Sequence, residues 1–109
     1  MRGAWGLLFL VCSAGLAAAE TPSALTAAAG RYAAELVRCD NSEWESVVRT
    51  TAGILYDHIG SEKALAATEG ILAQVTSAKG SCNRQALASA RRTYERALKA
   101  LRPRRGRGA

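Results

Sequence analysis

Three cysteines, one histidine and a crowd of arginines towards the C-terminal end are the residues of this 109-residue chain with the most chemistry to offer. Thiols couple oxidatively, imidazoles and carboxylates move protons or ligate metals, and guanidinium groups grip carboxylates, phosphates and sulfates. Cys39 and Cys82 each follow an amphipathic segment and enclose a stretch that turns at Gly60, whereas Cys12 sits in an apolar N-terminal run. Once Cys12 is set apart, Cys39 and Cys82 are the remaining pair, and one disulfide is the economical expectation for an oxidising compartment. No Cys-x-x-Cys unit is present, so a structural bond outweighs a redox role, with an intermolecular bond as the main alternative.

Catalysis finds little support. The single histidine, His58, precludes a multi-histidine metal site, and its neighbour Asp57 points about 100° away from it on a helix. Asp40, Glu43 and Glu45 have the spacing of helix-capping carboxylates before that of an acid–base pair. There is no glycine-rich phosphate loop and no nucleophile elbow, so neither an enzyme nor a cofactor is expected.

The charge distribution is the feature folding accounts for least. From Glu20 to Asn83 five basic residues face eight acidic ones, a balance of −3. From Arg84 onward Arg84, Arg91, Arg92, Arg96, Lys99, Arg102, Arg104, Arg105 and Arg107 face Glu95 alone, a balance of +8. Such a field attracts an anionic membrane surface or an acidic protein partner. Nucleic acid is disfavoured by export and by the absence of aromatics interleaved with the arginines. A solvated charged face whose cations complement a helix C-terminus is the plainer alternative.

The elements that must position these groups are helical. Residues 1–19 have the pattern of a signal peptide: Arg2, an apolar core from Trp5 to Val11, and Ala17-Ala18-Ala19 before a cleavage point. That core is shorter than the roughly 20 residues a membrane span needs. Acylation on Cys12 is opposed by Phe9-Leu10-Val11, which puts no small residue before it. The expected product is secreted or periplasmic, with no transmembrane segment in its mature part.

Residues 20–102 form one alanine-rich helical domain. Thr21 caps and Pro22 opens a first helix with Leu25, Tyr32 and Leu36 on one stripe. Asp40-Asn41-Ser42 start a second, carrying Trp44, Val47, Val48, Thr51, Ile54, Leu55 and Ile59 and stopping at Gly60. Ser61 recaps a third, with Leu65, Thr68, Ile71, Leu72 and Val75 and an end at Gly80. Ser81 or Asn83 caps a fourth bearing Leu87, Ala90, Tyr94, Ala97, Leu98 and Leu101, which Pro103 stops.

Short connections predict an all-α, up-down-up-down four-helix bundle, or two packed helical hairpins, stapled by one disulfide. Residues 103–109 read as a disordered basic tail, and Arg102-Pro103-Arg104-Arg105 matches a dibasic processing pattern. Gly53 and Gly70 suggest a close helix crossing, and Trp44 a core anchor. Sliding the second helix onto the fourth lays Trp44 on Leu87, Thr51 on Tyr94, Leu55 on Leu98 and Cys39 on Cys82, a weak echo that shared helical period also produces, so no duplication is inferred.

The outcome expected is an exported, non-enzymatic helical binding protein, monomeric or weakly associating, that contacts an anionic surface or acidic partner through its C-terminal helix and tail. Its layout of helices, one disulfide and a basic C-terminal helix is similar in outline to the small periplasmic acid-stress chaperones. A stress chaperone is therefore one alternative, beside a small secreted helical ligand and a lipid-associating amphipathic protein.

Overall fold

The structure, a computed structural model, describes residues 21–102. The signal peptide expected over 1–19 and the basic tail expected over 103–109 lie outside the described residues. All regular elements described are α-helical: α1 (Pro22–Arg38), α2 (Trp44–Thr76) and α3 (Arg84–Leu101).

α1 is the hub. Thr21 Oγ1 accepts the Ala24 N–H at 3.1 Å and Pro22 occupies the first turn, so the helix starts where its caps place it. Leu25, Ala29, Ala33 and Leu36 are almost wholly buried, and Ala28, Tyr32 and Ala34 nearly so. A helix buried over most of its circumference is one that others pack around. A methyl group added at Gly30 would meet the carboxamide end of the Gln74 side chain of α2, a flexible group able to shift. Gly53 and Gly70, expected to make a close helix crossing, are both exposed, and a methyl group added at either would meet nothing within 4 Å.

The expected count of four helices is not matched, because three are found. The two inner helices are joined into one 33-residue element, α2, interrupted only by Gly60 at φ 86° and ψ 167°. With a single non-helical residue between its arms, hydrogen bonding resumes at Ser61 without a loop. The arms meet at an elbow, where Ala52, Tyr56, Ala64 and Leu65 line a notch.

The first arm contributes Val47, Thr51 and Leu55 to the core, with Trp44 only half-buried beside it. Trp44 is thus a flanking residue and not the fully buried anchor expected. On the second arm the buried positions are Ala64 and Ile71, while Leu65 is 61% and Leu72 38% exposed. Ile71 is buried and Thr68 and Val75 partly so, as the expected stripe has them, but small Ala64 is buried in place of its larger neighbour Leu65, which faces out.

Gly60 has a backbone that L-residues reach only under strain of about 1–3 kcal/mol. Gly60→Ala is therefore expected to destabilise by about that amount in urea unfolding. Gly53→Ala, in the same helix with open space around it, should instead raise stability by up to about 1 kcal/mol.

α3 is capped by Asn83, whose Oδ1 accepts the Ala86 N–H at 2.9 Å. Tyr94 anchors it: its ring lies 5.4 Å from that of Tyr32, and its hydroxyl shares a 3.1 Å hydrogen bond with the buried Thr51 hydroxyl. Further along, His58 Nε2–H donates to the Leu101 carbonyl at 2.8 Å, satisfying an acceptor that the end of α3 leaves open. His58, on the exposed side of α2, thus serves the end of another helix. From Thr51–Tyr94 to His58–Leu101 both partners advance together, so the first arm of α2 and α3 run parallel.

Candidate anion-binding groove

The cysteines are joined. Cys39 and Cys82 form a disulfide with their Cα atoms 4.5 Å apart, tying the turn after α1 to the loop before α3. Arg38 reinforces the tie, its Nε–H donating to the Lys79 carbonyl at 2.7 Å while a terminal nitrogen pairs with Glu35 at 3.0 Å.

The turn after α1 has a fixed shape. Asp40 takes φ 58°, its N–H bonds to the Val37 carbonyl and the Asn41 N–H to the Leu36 carbonyl, each at 2.9 Å. This is the double bond pattern that closes a helix with a left-handed residue, here an aspartate where glycine is commonest. Asp40 therefore terminates α1 and does not cap α2 as expected. Asn41 takes part in that start instead, its Oδ1 accepting the Glu43 N–H at 2.8 Å.

With turn and disulfide fixed on one side and α3 on the other, a groove of about 650 Å³ lies between them. Cys39, Asn41 and Cys82 form one wall, and Arg84, Leu87, Ala88, Arg91, Arg92 and Glu95 the other. The helical repeat explains the second set: positions three, four, seven and eight after Arg84 return to one side of α3. Asn83, by capping α3, fixes where that set begins.

The charge in the groove is cationic. Arg91 Nε–H donates to Glu95 at 3.2 Å across one helical turn, with both side chains largely exposed. That hydrogen bond, seconded by the Tyr32 phenol, holds the Arg91 guanidinium further towards its charged form. Arg84 and Arg92 make no ion pair among the described residues. Burial raises the Tyr32 phenol above the usual tyrosine range, with Arg91 opposing the shift.

Of the basic residues singled out in the sequence, Arg84, Arg91 and Arg92 are brought together on the disulfide. Arg96, Lys99 and Arg102 are exposed but do not line the groove, and Arg104, Arg105 and Arg107 lie outside the described residues. Asn41 and the apolar pair Leu87 and Ala88 were not foreseen as part of a site. The spacing of Leu87 and Ala88 between Arg84 and Arg91 was their visible signal, whereas Asn41 joins only through the turn at Asp40.

Two further concavities lie elsewhere, the first of them apolar. Pro22, Ala27, Ile59, Ala67 and Ile71 line a trough of about 750 Å³ between α1 and α2, and Trp44 borders a smaller one with Val37 and Ser42. Among the described residues no group of three or more His, Cys, Asp or Glu could hold a metal ion, and no helix is long and apolar enough to cross a membrane. No family model matches the chain, and no curated protein or solved structure does.

Proposed function

We propose that this chain is an exported, non-enzymatic binding protein that holds the anionic groups of a surface or partner in the groove of Arg84, Arg91 and Arg92. The observation that carries this reading is the gathering of these guanidinium groups around one concave, partly apolar site whose walls are fixed by a disulfide. Guanidinium groups present several donors in a fixed fork and remain charged at any physiological pH, which suits them to carboxylates, phosphates and sulfates. The disulfide also supports an oxidising compartment, where such bonds persist.

Co-sedimentation of the full chain with anionic vesicles, and retention on immobilised polyglutamate, test the proposal. Arg84, Arg91 and Arg92 changed together to glutamine should weaken binding by about tenfold or more, with the helical circular dichroism unchanged. The same change at Arg96, Lys99 and Arg102 should have the smaller effect. Binding should fall steeply with salt, because exposed charges are screened over about 8 Å at physiological ionic strength. Equal retention of both triple variants would reject the groove as the site.

A second reading, of a chaperone-like or lipid-associating protein, has its own observation. Tyr56 and Leu65, 58% and 61% exposed, stand together at the elbow of α2. Suppression of client aggregation that is lost on Tyr56→Ser with Leu65→Ser would favour it.

A further inference from the structure

The groove has dimensions as well as charge, and they select among anionic partners. Resting on the anion-site reading, we infer that its occupant is an acidic protein segment in extended conformation, with the pattern acidic, any, apolar, any, acidic.

Length comes first. Arg84 and Arg92 are eight residues apart in α3, which is about 12 Å along the axis. An extended chain advances about 3.3 Å per residue and returns to the same face every second residue. Two carboxylates four positions apart therefore face one way at about 13 Å, matching the two arginines. The residue midway between them, on the same face, falls beside Leu87 and Ala88, the apolar part of the α3 wall.

Charge availability agrees. Arg91 is engaged by Glu95, whereas Arg84 and Arg92, at the two ends of the span, have no ion-pair partner among the described residues. The bidentate fork of each suits one carboxylate.

The site is a concavity beside the disulfide and not a flat face. A flat bilayer would engage Arg96 and Lys99, which lie outside the groove, at least as well as Arg84 at the foot of α3.

The test uses two labelled peptides of identical composition and charge with the full chain at low ionic strength, read by fluorescence anisotropy. One is acetyl-Ala-Glu-Ala-Leu-Ala-Glu-Ala-amide; the other, acetyl-Ala-Leu-Ala-Glu-Glu-Ala-Ala-amide, places the acids side by side. The spaced peptide should bind about tenfold more tightly. Arg84→Gln and Arg92→Gln should each abolish that preference, and Arg96→Gln should leave it within about twofold. Equal affinity for the two peptides, or a preference that survives both groove substitutions, overturns the inference. If the peptides are indistinguishable but anionic vesicles still bind through Arg84, Arg91 and Arg92, the extended-segment inference falls and the anion site stands. If neither peptide nor vesicle binding responds to those three arginines, both fall.

Discussion

Tyr94→Ala is expected to lower the free energy of unfolding by about 3 to 5 kcal/mol, the range for deleting a buried aromatic side chain. Tyr94 is 5% exposed and joins the three helices: it projects from α3, stacks on Tyr32 of α1 and bonds Thr51 of α2. The ring supplies most of the effect and the hydroxyl the rest. Tyr94→Phe should cost about 1 to 2 kcal/mol, because it leaves the buried Thr51 hydroxyl without this partner. Tyr94→Phe with Thr51→Val, which removes both polar groups, should recover part of that loss. Urea unfolding of these three variants beside the parent separates these contributions. Burial also raises the Tyr94 phenol above the usual tyrosine range, with Thr51 and Arg102 opposing the shift. The folded state then binds this proton more tightly than the unfolded one. Its contribution is complete below the ordinary tyrosine range near pH 10 and lost as the pH climbs above it.

Removing the disulfide should cost a similar amount. Cys39 and Cys82 are 43 residues apart, and closing a ring of that size stabilises by about 4 kcal/mol in the chain-entropy model. The double serine variant keeps the helices but frees the loop before α3, which Arg38 then holds through the Lys79 carbonyl alone. Loss of the groove should accompany loss of stability, since one of its walls is the bridge itself. The expected result is a midpoint in urea far below that of the oxidised protein, with anion binding reduced even where the chain remains folded. A double serine variant as stable as the parent would show the ring to be slack.

Much of the helical layout was legible because caps and periodic stripes are local signals. Thr21 with Pro22, Asn83 and the turn of φ at Gly60 are written in single residues, and the structure uses each of them. The pairing of Cys39 with Cys82 followed from placing both in loops at one end. What could not be read was which of two neighbouring positions turns inward at the start of the second arm. Ala64 and Leu65 are adjacent, and periodicity alone favours the larger as the buried one. In the structure Ala64 is 4% and Leu65 61% exposed. The helix count differs because the second and third expected helices run on as one element through Gly60, the residue at which the stop was read. In the groove, the arginines of α3 were visible as a ridge, but its concavity depends on the turn at Asp40, a conformation set by backbone bonds to Leu36 and Val37.

The parallel run of α3 along the first arm of α2 bears on how fast the chain can find its fold. Thr51 and Tyr94 each lie twelve residues beyond their cysteine, and His58 and Leu101 nineteen beyond theirs. In a reduced chain each pairing closes a loop spanning 43 residues, and that closure entropy must be met before the contact stabilises anything. Once Cys39 and Cys82 are joined, the two strands of chain leave a common point in matched register. Tyr94 then meets Thr51 before Leu101 meets His58, as teeth close from the fixed end of a zip, and the bridge sets the order of assembly as well as its final stability.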